Sequence, residues 1–124
     1  MKFNEYIQSV KITETTDQNP IKERLATNSR LMHSAMGMVT ESAEIMDQLK
    51  KVTMYGKQLD KVNLEEEIGD LAWYVALMVD ELGLDFESIL DKNIAKLKAR
   101  YGEKFTETAA LNRNLEKERT ILES

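Results

Sequence analysis

The sequence predicts an all-α fold. Helix-forming residues dominate, and apolar residues recur at helical rather than alternating spacing. Glycines punctuate this pattern. Tyr55-Gly56, Leu82-Gly83 and Tyr101-Gly102 each close an apolar-periodic segment, as helix C-termini do. The single proline, Pro20, lies in a polar stretch between two such segments.

Taken in order, Met1 to about Thr13 predicts a short helix with Phe3, Tyr6, Ile7 and Val10 on one face. Thr13 to Pro20 reads as a loop. A long helical region follows from Ile21 to Met54, with a break expected near Thr27-Asn28. Its apolar stripe includes Met38, Ile45, Leu49 and Val52; Glu41 falls within the stripe and Glu44 at its edge. The next helix is expected to start at Asn63, which with Glu66 fits a capping box. Leu64, Ile68, Leu71, Val75, Met78 and Leu82 form its expected buried face, with Glu67, Asp70 and Tyr74 on the flank. Asp85 reads as the cap of a helix running to Tyr101, with Ile89, Ile94 and Leu97 inside. Ala109 to Ser124 is more weakly periodic, a candidate helix for docking on a neighbouring subunit.

A length of 124 residues fits one domain, 1–124, with a core over about 21–101 and a tail over 102–124. Apolar residues at 42% and charged residues at 31% are too rich in core formers for wholesale disorder. The absence of cysteine removes disulfides, thiolate metal sites and cysteine nucleophiles. A net charge of −5 argues against non-specific binding to duplex DNA. No basic-then-apolar leader and no membrane-length apolar run is present, so the expected compartment is the cytoplasm.

Two acidic pairs carry the chemistry: Glu41-Ser-Ala-Glu44 and Glu67-Ile-Gly-Asp70. Spacing of i, i+3 puts both carboxylates of a pair on one helix face. Two such helices side by side would gather four carboxylates, a costly arrangement without a cation. Mg²⁺, a hard oxygen-seeking ion, is the natural guest.

Acidic residues on helices are ordinarily solvated surface, and context must separate these four from the rest. Glu65 and Glu66 belong to a first turn, where capping and the helix dipole account for them. Glu41 interrupts an apolar stripe. Glu67 and Asp70 flank one, with Gly69 between them, a residue that suggests close packing or room for a ligand. A di-iron bundle needs Glu-x-x-His pairs. The only histidine, His33, lies roughly 16 Å along the helix from Glu44, which demotes that reading.

Asn93, Lys96 and Arg100 share one face of the Asp85-capped helix. An ordinary polar face is the plain explanation; an edge that meets phosphate oxygens is the functional one. Lys57, just after Gly56, offers a cation from a loop. Trp73 could stack on a base, although a helical Trp more often packs in a core or subunit interface.

In this order, Glu41-x-x-Glu44, Glu67-x-x-Asp70 followed by Leu-Ala-Trp-Tyr, Asn93-Ile-Ala-Lys96 and Arg100-Tyr101 resemble the MazG-type all-α nucleoside triphosphate pyrophosphohydrolases. The likeness runs from about Met36 to Arg113 and takes in Tyr55-Gly56-Lys57 and the Ala-Leu-Asn-Arg segment ending at Arg113. It implies a four-helix-type subunit completed by oligomerisation as a homodimer or homotetramer. It implies Mg²⁺, with Mn²⁺ as a substitute, held by Glu41, Glu44, Glu67 and Asp70. The substrate would be a nucleoside triphosphate, cut to the monophosphate and pyrophosphate, in a role that could include nucleotide-pool house-cleaning or a narrow dUTP- or dCTP-directed activity. Lys57, Asn93, Lys96, Arg100 and Tyr101 would contact or shape the substrate. The family motif opens with Glu-Glu where this chain has Thr40-Glu41. That leaves Glu41, Glu44 or a metal-bound hydroxide as the general base. It also keeps open a rival class, a non-catalytic helical module that binds nucleotides or a protein partner.

Overall fold

The computed structural model describes residues 1–124 and contains seven helices: α1 (Phe3–Thr13), α2 (Asn19–Thr27), α3 (Ser29–Tyr55), α4 (Lys61–Glu81), α5 (Phe86–Tyr101), α6 (Glu107–Leu111) and α7 (Leu115–Glu123). The all-α expectation holds, but the helix count exceeds the four-helix type. The expected break at Thr27-Asn28 separates α2 from α3, and the tail condenses into two short helices. The chain divides into two compact units, Met1–Val75 and Ala76–Ser124.

In the first unit, helix starts follow local donors and acceptors. The Lys2 backbone N–H donates to Glu5 (2.8 Å) at the start of α1. Pro20 lies in the first turn of α2, where its missing N–H is harmless. α3 ends at Gly56 with φ of +64°, and the N–H groups of Gly56 and Lys57 return to the carbonyls of Val52 and Lys51. This left-handed closure suits glycine and satisfies two otherwise orphaned carbonyls. Gly83 and Gly102 also take positive φ after α4 and α5, so all three sequence stop signals mark real helix ends.

The α4 start differs from expectation. Asp60, rather than Asn63, caps it: its Oδ1 accepts from the Asn63 backbone N–H at 3.1 Å. The helix therefore begins at Lys61 and carries Asn63 in its first turn. Its inward face is also rotated from the expected one. Leu64, Leu71, Val75 and Met78 are half-buried, and Glu67 and Tyr74 join them. Ile68 and Leu82, expected inside, are exposed.

The face of α3 nearest α4 is built from small residues. Ser34 is fully buried, and Gly37 is buried against the Tyr74 ring, where a Cβ would overlap it. Gly37 opposite Tyr74, and Glu41 beside Glu67 and Asp70, show that α3 and α4 run antiparallel here.

In the second unit, α6 and α7 pack on α5. Asp85 caps α5 as expected, accepting from the N–H groups of Glu87 (3.0 Å) and Ser88 (3.4 Å). Thr106 and Asn114 cap α6 and α7. Lys92 donates to the Leu122 carbonyl (3.3 Å), and Arg100 pairs with Glu118, so α7 lies antiparallel along α5. Ile89 and Ile94 are exposed rather than inside, and Leu97 is half-buried. No helix in the chain is long and apolar enough to cross a membrane.

Candidate metal centre

Three of the four singled-out carboxylates converge. Glu41 from α3 and Glu67 and Asp70 from α4 each place a ligand oxygen within 4.8 Å of the others. Glu41 and Glu67 are half-buried, and Asp70 is exposed. Glu44, one turn beyond Glu41, is exposed and outside this group. A step of three residues turns a side chain about 60° away from its predecessor's face. Glu44 therefore sits about 60° around α3 from Glu41, yet near enough for its charge to help raise the Glu67 carboxyl.

None of the three carboxylates forms an ion pair within the chain. Burial pushes the Glu67 carboxyl above its ordinary value; the neighbouring Glu41 carboxylate adds to this, and an N–H from Asn63 opposes it. That hydrogen bond runs from Asn63 Nδ2 to Glu67 Oε1 at 3.1 Å. Asn63 Oδ1 is buried and has no partner. Three crowded, unneutralised carboxylates form an all-oxygen donor set that could chelate a divalent cation such as Mg²⁺ or Mn²⁺.

The centre opens on a cavity of about 290 Å³ lined by Glu41, Asp70, Trp73 and Tyr74. Trp73 is 56% exposed and stands edge-on to Tyr74, with ring centroids 5.0 Å apart. His33 also meets Tyr74 edge-on, with centroids 5.6 Å apart, and is itself exposed and outside the carboxylate group. Thr40, at the position of the family's first glutamate, donates its hydroxyl to the Gly37 carbonyl (3.0 Å). Its Oγ1 lies 3.5 Å from Glu41 Oε1. A hydroxyl bound back to its own helix is no substitute for a carboxylate base.

The residues read as a phosphate-facing edge have separate fates. Lys57 is exposed in the α3–α4 loop. Lys96 donates to Asn93 Oδ1 at 2.9 Å, which confirms their shared face on α5. Arg100 is held in a two-pronged ion pair: Nε and Nη2 reach the two oxygens of Glu118 at 2.7 Å each. Arg113 reaches the same carboxylate at 2.6 Å. Tyr101 packs against Phe105 with centroids 5.2 Å apart, and the Arg100 guanidinium lies 5.5 Å from its ring. Sequence reasoning missed Asn63, read as a cap, and Glu118, whose partner is 18 residues away.

All-α proteins in which facing helices bring acidic side chains into one cluster, able in principle to chelate a divalent cation, form a class. Within it, a MazG nucleotide pyrophosphohydrolase domain matches residues 29–105, more than half of the chain, and the chain belongs to that family. The chain is also similar to the Gene 37 protein of Mycobacterium phage L5, with 31% identity over 74 residues. That match covers 56% of this chain and 65% of the phage protein. No solved structure matches it.

Proposed function

We propose that this chain hydrolyses a nucleoside triphosphate to the monophosphate and pyrophosphate, using Mg²⁺ or, in its place, Mn²⁺. The observation that supports this most is the convergence of Glu41, Glu67 and Asp70 within a MazG-family chain. These three carboxylates are the proposed metal ligands, with Glu44 as the fourth. A bound cation would neutralise phosphate oxygens and make the α-phosphorus more open to attack. Water attacks that phosphorus, the bond to the bridging oxygen breaks, and pyrophosphate leaves. Glu41 and Glu44 are the proposed proton acceptors for that water. What supports Glu44 in that role is that it is exposed and outside the three-carboxylate group.

Lys57, Asn93 and Lys96 are proposed to contact phosphate or sugar. Arg100 and Tyr101 are proposed to shape the substrate-facing edge of α5, with Glu118 engaging two nitrogens of Arg100. The working unit is proposed to be a cytoplasmic homodimer or homotetramer, in which a second copy completes the bundle. The support is α3 itself. Opposite its Ser34–Gly37–Glu41 face it presents Met36, Val39 and Met46, at 61%, 70% and 65% exposure. A helix packed on one face and apolar on the opposite one calls for a neighbour on both.

The test is ³¹P NMR of the products from a panel of standard, deoxyuridine, deoxycytidine and oxidised triphosphates. Equal release of monophosphate and pyrophosphate is expected from at least one of them. Release of inorganic phosphate from the γ position would contradict the proposed bond cleavage. Thr40, in place of a glutamate, favours a second reading, a module that binds nucleotides without turnover. Calorimetric binding with no product from any nucleotide would select it.

A further inference from the structure

We infer that Asn63 is a positioning residue for Glu67, and that its buried amide oxygen serves a water carried by the bound cation. The inference rests on the metal reading proposed above. Asp60 supplies the α4 cap, which frees the Asn63 side chain from that task. Asn63 and Glu67 are four residues apart, so they lie one above the other on one face. An ionised carboxylate only accepts, so the amide nitrogen must be the end that faces Glu67 Oε1. The orientation of the amide is thereby fixed, and its oxygen is the atom left over.

That oxygen is buried and accepts nothing from the chain. Buried carbonyl-type oxygens without a donor are rare, because leaving one unmatched is costly. The Glu67 carboxylate that Asn63 touches, and the Glu41 and Asp70 carboxylates clustered with it, have no protons to give when ionised. A donor has to come from outside the chain, and the water shell of a divalent cation held by these carboxylates would supply one. Asn63 then acts at both ends. Its N–H fixes the rotamer of Glu67, and its oxygen orients a cation-borne water. A leucine of similar size would remove the unmatched oxygen at little steric cost, so stability alone gives no reason for an amide here.

The test is calorimetric titration of Mn²⁺ into the nucleotide-free protein, comparing wild type with Asn63→Leu, Asn63→Ala and Asn63→Gln. Loss of a hydrogen-bond partner behind a metal ligand weakens metal affinity by about 10–100-fold, and that loss is expected for Leu and Ala. Gln keeps the amide within reach of Glu67 and should recover most of the affinity. Helical circular dichroism and the thermal midpoint of the metal-free protein should be unchanged or higher in Asn63→Leu. Wild-type affinity in the Leu or Ala variant would overturn the inference, as would loss of helical structure in both. If wild type itself binds no Mn²⁺, the metal reading fails first, a result distinct from failure of Asn63 alone.

Discussion

Gly37 and Gly69 lie on the two helices that carry the carboxylates, and they predict opposite outcomes on substitution by alanine. At Gly37 an added Cβ would overlap the Tyr74 ring. Overpacking of this kind costs about 1–3 kcal/mol. It outweighs the ~1 kcal/mol that alanine contributes through helix propensity. Gly37→Ala should therefore lower the thermal midpoint and disturb the tyrosine that lines the metal-centre cavity. At Gly69 a Cβ meets nothing within 4 Å. Gly69→Ala should stabilise the chain by about 1 kcal/mol, read as a rise in the denaturant midpoint. A fall would show a neighbouring copy packed against that position. Gly69 had suggested close packing or ligand room, and within the chain it faces open space.

The carboxylates themselves were legible because an acid inside an apolar stripe breaks the pattern that explains the stripe. Glu41 did so on α3, whereas Glu67 and Asp70 only flanked a stripe and were marked by the Gly69 between them. Asn63 was not legible. Asn three residues before a glutamate reads as a cap, and only the structure shows the cap falling on Asp60. Glu44 was grouped with Glu41 by spacing and by likeness to the family motif. Whether both reach one point depends on how α3 is rotated about its axis, which spacing does not specify.

At the scale of elements, the α5–α7 pair is held by Glu118, 5% exposed, between Arg100 and Arg113. The Arg100 guanidinium first, then that of Arg113, holds the Glu118 carboxyl down at about 2, from an ordinary 4.5. A depressed carboxyl stabilises the folded state above its unfolded value and loses that contribution as the pH falls through its folded value. The contact should therefore be fully present above about pH 4.5 and disappear progressively toward pH 2. Acid titration followed by hydrogen exchange in α7 should show this, and Glu118→Gln should flatten the dependence over the same window while lowering protection at neutral pH. None of this pairing was visible in the sequence, because an ion pair between helices 18 residues apart leaves no periodic trace. The helix ends were visible, since Gly56, Gly83 and Gly102 act through their own backbone. Burial on α4 and α5 was only half legible. Ile68, Ile89 and Ile94 fit a helical stripe, yet a stripe gives a face without saying which neighbour covers it.

For the whole molecule, no apolar side chain in the single chain is fully buried. A stable domain of this size needs such a core, and the proposed homo-oligomer would supply the missing cover. Multi-angle light scattering should give a dimer or tetramer for wild type. Val39→Glu, a charge on the exposed face of α3, should shift it toward monomer and lower its thermal midpoint. A wild-type monomer of full stability would contradict the proposed assembly. The central claim, a divalent-metal centre at Glu41, Glu67 and Asp70 that cleaves a triphosphate, has a more direct test. Pyrophosphate release should be measured across the nucleotide panel with and without Mg²⁺, for wild type, Glu67→Gln and Asp70→Asn. The account predicts Mg²⁺-dependent release by wild type, and a loss of at least about 100-fold in each variant with helical circular dichroism retained. Full activity in both variants would contradict it.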